Sequence, residues 1–188
     1  MIKALFKFDK HIPKDAVVVD TTSNTHPDWK YLSPFVLEAP PAKNLENLWQ
    51  FSKVYQCHVG FDGLPNQDWH YWRTVGWSNP QAQRYPMGKG TKPIYSYWKG
   101  LTLDYINARK LIYIPEYAGN VIKTSSFRNL VTLDKMCVAD NKLLVLLDYD
   151  AYDHQALGMT LKDVANNPDR IMGHAFVLVS LLTGERII

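Results

Sequence analysis

The chain of 188 residues has only two cysteines, Cys57 and Cys137. They have no metal-ligand spacing, which excludes a zinc ribbon and points to reduced thiols in a cytoplasmic protein. His58, His70, His154 and His174 form no zinc signature either. There is no apolar run of the roughly 18 residues that a membrane span requires. The opening residues Met-Ile-Lys-Ala-Leu-Phe-Lys-Phe alternate apolar with polar and lack the long apolar core and cleavage site of a signal peptide. Repeats and low-complexity segments are missing. A net charge of +3 is only mildly basic. It permits an anionic ligand or nucleic acid without arguing for either, and no basic stripe marks a nucleic-acid interface.

What is present suits one globular domain with a substantial core: 46% hydrophobic and 21% charged residues, with six Trp and eleven Tyr. Residues 1–8, Ala16–Asp20 and Lys142–Asp148 read as strands. The second of them ends in the polar turn Asp20-Thr-Thr-Ser-Asn24, a place for ligand contacts or a plain turn. Gly60 to Lys92 reads as a long irregular stretch. It carries the basic segment Arg84-Tyr-Pro-Met-Gly-Lys-Gly-Thr-Lys92, whose backbone N–H groups suit either a phosphate or a solvated surface loop. A helix is expected in the second part of Tyr95–Tyr113, with Trp98 near its start. Pro115 should end that pattern and open a shorter helix. Thr160 and Asp163 have capping-box spacing, and Ile171–Leu182 reads as a buried final helix with His174 as a packing histidine. The predicted class is α+β, helix-dominated, with a small sheet.

The most informative stretch is Asn44-Leu-Glu-Asn-Leu-Trp-Gln-Phe-Ser-Lys-Val-Tyr55. Apolar residues recur in steps of three and four, Pro40 and Pro41 block a helix upstream, and Asn44 is a good N-cap. Glu46, Gln50 and Lys53 then share one face, a carboxylate, an amide and a cation in a column. That column is either a solvated face or one wall of a site. The loop holding Asp148, Asp150 and Asp153 offers oxygens that a hard cation would accept, or ordinary turn residues. Its spacing falls short of an EF-hand, and neither a metal nor any other cofactor is expected.

Three segments together resemble the NADAR family, whose name reflects NAD and ADP-ribose metabolism. The first is Leu32-Ser33-Pro-Phe35 followed by Glu46-Asn-Leu-Trp49-Gln50-Phe-Ser-Lys53, where the family has Ser-Asn-Phe and then Glu-His-x-(aromatic)-Gln-x-x-Lys. The second is Trp98 with the later Ala108, Arg109 and Lys110. The third is Asp150-Ala-Tyr152 with Gly158, then Asn167 and Gly173. The resemblance spans about residues 31–182, and the chain departs from the family at Pro34, at Asp153-His154 and in the spacing of Asn167 from Gly173.

The resemblance implies hydrolysis of a bond between ribose C1′ and nitrogen. Family members are implicated in cleaving phosphoribosyl-amine intermediates and in removing ADP-ribose from guanine in DNA. Such chemistry passes through an oxocarbenium-like transition state and needs a carboxylate, a means of holding the leaving base, and aromatic surface. On this reading Glu46 and Asp150 are the catalytic carboxylates. Gln50 and Lys53 orient and tune Glu46, and Trp98 and Tyr152 stack the base, with Trp49 in the core. Ser33, Phe35 and Asn167 complete the binding set, while Arg84, Lys89 and Lys92 serve phosphate. The expected partner is a nucleotide-like small molecule or ADP-ribosylated nucleic acid, with no membrane. Two other readings stay open: a binding module for ADP-ribose or a modified base that has lost the chemistry, and a glycosylase that extrudes its base from DNA.

Overall fold

A computed structural model describes residues 1–188. Three parallel strands form its centre: β1 (Ile2–Phe6), β2 (Val17–Asp20) and, far along the chain, a Leu/Val-rich strand at Leu144–Asp148. That last strand lies between the other two, with Phe6 opposite Asp148 and Asp20 opposite Leu147. Leu144, Val145 and Leu146 are fully buried, as a central strand covered on both faces must be. All three strands point the same way, so their C-terminal ends meet on one edge. Ligands of parallel sheets bind at that edge.

After β2 the chain reaches α1 (Leu45–Phe51), where the Asn44 side chain accepts from Asn47 N at 2.8 Å, the expected N-cap. The short strand β3 (Lys53–Val54) follows, then α2 (Gln67–Ser78). The stretch 60–92 is therefore not irregular throughout. Asn66 caps α2 through Trp69 N, and Trp69, Trp72 and Gly76 form its inward stripe. Gly76 sits against the Phe51 ring, where any Cβ would overlap, so α1 and α2 approach closely.

A second sheet, antiparallel, joins β3 to β4 (Tyr95–Trp98) and β5 (Leu101–Leu103). The β4–β5 turn has positive φ at both Lys99 and Gly100 (49° and 85°), the two-residue hairpin geometry that matches strand twist. Trp98 thus lies in a strand, not at a helix start. The helical pattern begins only after it, with α3 (Tyr105–Ala108) capped by Asp104. It widens into a π-helical turn at Arg109–Tyr113 and continues as α4 (Ile114–Val121). Pro115 does not end this helix. The widened turn is where a helix can absorb a missing N–H and a proline ring.

Then come α5 (Ser125–Ala139), a helix not among those expected from the sequence, and β6, the central strand Leu144–Asp148. α6 (Leu161–Asn166) carries the capping box: Thr160 and Asp163 bond reciprocally. α7 (His174–Thr183) starts later than the apolar run and ends at Gly184, φ 74°, a left-handed cap. Ala175 to Val179 are all buried because α7 packs against β1, β6 and α4. The result is a mixed α/β domain with two small sheets in place of the one expected. No helix is long and apolar enough to cross a membrane.

Candidate functional site

A cleft of about 460 Å³ opens where the parallel strands end, between that sheet edge, α1, the π-helical turn and the start of α7. Helix α1 turns its polar face into it. Gln50 Nε2 donates to Glu46 Oε1 at 2.9 Å, and Lys53 Nζ donates to Gln50 Oε1 at 2.7 Å. The column inferred from spacing is a hydrogen-bonded chain on one wall of the cleft. Glu46 is 7% exposed, and burial is the main force that pushes its pKa up. The bond from Gln50 and the charges of Lys53 and Arg84 work against that, and the Asp150 charge adds to it. Burial also brings the Lys53 ammonium down to about 8, with Glu46 opposing.

Asp150 lines the cleft on the β6 side, bonded to Arg84 (Oδ2–Nη2 3.2 Å). Its pKa is raised by burial and by the neighbouring Asp148 charge, against the pull of Arg84. Arg84 reaches this position because α1 holds the preceding loop. Asn47, fully buried, donates to Asn79 O and Gln81 O at 2.9 Å each and accepts from Gln83 N at 2.8 Å, while Asn44 donates to Pro80 O.

Beneath Asp150 lies a buried ion pair. His174 Nδ1 is 2.9 Å from Asp148 Oδ2, and its Nε2 faces Thr21 Oγ1 at 2.8 Å and Thr21 O at 3.0 Å. Thr21 Oγ1 gives its own proton to Leu147 O, so it accepts from the ring. Both imidazole nitrogens therefore donate, and His174 is a cation. Burial alone would lower its pKa; the Asp148 charge and these hydrogen bonds outweigh burial and raise it. Asp148 is likewise held at about 2, against its burial, by the His174 charge, the bond from His174, and the N–H groups of Ala175 and Asp150. Gly173 leaves room for this carboxylate, which a Cβ would overlap. The three aspartates of the loop do not converge: Asp148 meets His174, Asp150 meets Arg84, and Asp153 meets Lys3 at 2.6 Å.

Of the residues proposed from sequence, Glu46, Gln50, Lys53, Ser33, Phe35, Arg84 and Asp150 line the cleft. Ser33 donates to Asn24 Oδ1 at 2.9 Å and so ties the polar turn after β2 to this wall. Four lie elsewhere. Trp98 is buried in β4, edge-on to Trp77. The Tyr152 ring packs on Phe176 under Arg170. Lys89 sits in an exposed turn between Gly88 and Gly90. Asn167 ends α6 and gives its carbonyl to Arg109.

The aromatic surface instead comes from Phe35, Trp49, Tyr85, Tyr105, Tyr113 and Tyr149. Trp49, expected in the core, is half-buried, edge-on to Tyr113 at 5.4 Å, with Lys53 Nζ 5.0 Å from its ring centre. Arg109, which the sequence offered only as part of the resemblance and with no site role, also lines the cleft. Its guanidinium donates to the carbonyls of Val164, Ala165, Asn167 and Arg170, which stitches the π turn to the end of α6. Compared with known proteins, the chain matches no family model, no curated protein and no solved structure.

Proposed function

We propose that the protein is a divergent NADAR-like hydrolase that cleaves the ribose C1′–N bond of a ribosylated base or similar nucleotide-like substrate. One observation carries this reading: a buried carboxylate, Glu46, held by Gln50 and Lys53, shares an aromatic cleft with a second carboxylate, Asp150, held by Arg84. Cleavage of a C1′–N bond sends the electron pair to nitrogen and leaves positive charge on the sugar. Ionised Glu46 stabilises that charge and takes a proton from the attacking water. Its raised pKa brings it closer to the working range of a general base. Asp150 and Arg84 bind ribose hydroxyls, and the tyrosine and tryptophan rings hold the departing base. Lys53, with a pKa of about 8, is a proton donor for the departing nitrogen.

The test is a hydrolysis screen of the parent and Glu46→Gln proteins. Substrates are ADP-ribosylated guanine in DNA, ADP-ribose conjugates, NAD and phosphoribosyl-aminopyrimidines, with the released base or amine read by mass spectrometry. Release that falls at least about 100-fold in Glu46→Gln supports the hydrolase. The Arg84–Asp150 bridge favours one competing reading, a site that binds without cleaving, because it occupies a carboxylate oxygen. A compound that raises the melting temperature yet is never turned over selects that reading.

A further inference from the structure

Tyr105, Arg109 and Tyr113 all line the cleft. They follow one another in steps of four, which overshoot an α-helical turn of about 3.6 residues, and the wider turn at Arg109–Tyr113 takes up the excess. The carbonyls that bind Arg109 hold that turn in place. Tyr113 is 9% exposed and its ring is covered, edge-on to Trp49 and stacked with Tyr117 at 6.4 Å between centres. What it offers the cleft is its hydroxyl. Tyr117 donates its own phenolic proton to Leu32 O at 2.7 Å, whereas the Tyr113 hydroxyl has no hydrogen-bond partner within the protein. Two carboxylate oxygens are free in the same way. Arg84 takes Oδ2 of Asp150 and Gln50 takes Oε1 of Glu46, which leaves Asp150 Oδ1 and Glu46 Oε2 unbonded. Tyr113 lies within reach of both charges. Burial foremost, then the charges of Asp148 and Glu46, the neighbouring Tyr117 and the charge of Asp150 raise its pKa well above the ordinary tyrosine value. The phenol therefore keeps its proton and has it to donate.

We propose that Tyr113 determines sugar specificity: its hydroxyl donates to a hydroxyl of the substrate's ribose, and that hydroxyl in turn donates to Asp150 Oδ1. A group held between a phenolic donor and a carboxylate acceptor must both accept and donate, which a hydroxyl does. A carbonyl or an ionised phosphate oxygen only accepts, and an ammonium only donates. The ribose carries its hydroxyls next to the bond that breaks, and fixing one of them orients C1′ in the cleft. A sugar without that hydroxyl leaves two buried polar groups unpaired, so ribose is distinguished from a deoxyribose. The inference rests on the proposed reading, in which Asp150 binds ribose hydroxyls, and adds a donor from the wall that the π-helical turn forms.

The experiment is calorimetric titration of the parent and Tyr113→Phe proteins with ADP-ribose and with its analogues that lack the C2′ or the C3′ hydroxyl of the terminal ribose. These ligands carry no base on C1′, so binding is read without cleavage. Phenylalanine keeps the ring and removes only an unpartnered hydroxyl, so the melting temperature stays within about 2 °C of the parent. The parent binds ADP-ribose more tightly than one of the two analogues. Tyr113→Phe weakens ADP-ribose by about 3- to 10-fold, leaves that analogue unchanged and so narrows the preference between them. Equal ADP-ribose affinity in the two proteins overturns the proposal. An equal loss for all the ligands overturns it as well, since that marks a change of cleft shape, and so does a parent that binds no ADP-ribose. The hydrolysis screen decides cleavage separately. A protein that binds ribose through Tyr113 and cleaves nothing keeps this assignment, and one that cleaves while Tyr113→Phe retains the parent's preference keeps the hydrolase without it.

Discussion

Asp148 and His174 form a buried ion pair, 2.9 Å between Oδ2 and Nδ1, at the point where β6 ends and α7 begins. Each side chain is 5% exposed. The pair joins three chain segments, since His174 also bonds Thr21 at the end of β2, and it forms the floor under Asp150. Removing one partner would strand the other charge without water.

The pair should therefore be visible in stability against pH. Asp148 has a folded pKa of about 2, below its usual value, so its contribution is present above about pH 4 and is lost as pH falls toward 2. That contribution is on the order of 2 kcal/mol. His174 is shifted the other way. Its contribution is complete below about pH 6.5 and disappears as pH rises through its raised folded value. Denaturant unfolding from pH 2 to 9 should show both limbs. Asp148→Asn should cost about 3–5 kcal/mol at pH 6 and flatten the acid limb. An acid limb of equal depth in both proteins would refute the assignment.

Asn47 makes a second, independent prediction. Its side chain forms three hydrogen bonds to the 79–83 segment, and that segment delivers Arg84 to Asp150. Asn47→Ala should lower stability by about 3 kcal/mol, near 1 kcal/mol for each bond. It should also speed hydrogen exchange at the Gln83 amide well beyond the global change. Exchange at Gln83 that merely follows global unfolding would mean that Asn47 does not govern the loop.

The α1 column was legible because helical spacing is local: residues four and three apart must share a face whatever surrounds them, and the bonds from Lys53 to Gln50 to Glu46 follow. β6 was legible as well, since an unbroken Leu/Val run has few other uses in a domain. α2 was hidden by composition. The glycines, prolines and asparagines on either side mask the period of Trp69, Trp72 and Gly76, and the partner that rewards it is the Phe51 ring in α1. Trp98 was misplaced because Lys99-Gly100 is a hairpin turn with a rarely used lysine in its first position. His174 was read as a packing residue, and its nitrogens are indeed satisfied. Its charge depends first on Asp148 and then on Thr21, 153 positions away, and no local pattern could disclose that.

Glu46 should trade stability for function. Its folded pKa is raised, so stability declines as pH rises from the ordinary carboxylate value through the folded one, where ionisation sets a desolvated charge in the cleft wall. Glu46→Gln keeps an oxygen for Gln50 and removes the charge. It should raise stability at pH 7 by about 1 kcal/mol while lowering glycosidic cleavage at least about 100-fold. A variant that is less stable and still fully active would contradict both halves.

Lys53→Met tests the same column from its other end. The Lys53 charge opposes the burial of Glu46, so its loss should raise the Glu46 pKa further. If ionised Glu46 is the working form, the acid limb of the pH–rate profile moves to higher pH in the variant. If protonated Lys53 supplies the leaving nitrogen with its proton, the parent loses activity above about pH 8, and that alkaline limb vanishes in Lys53→Met. Methionine keeps most of the aliphatic stem of Lys53 and loses only the ammonium near the Trp49 ring, so the fold is retained. The two limbs separate the two roles. A shifted acid limb with an intact alkaline one leaves Lys53 as a tuning charge only. An alkaline limb lost without an acid shift makes it a proton donor only, and a profile unmoved at both ends removes Lys53 from the mechanism.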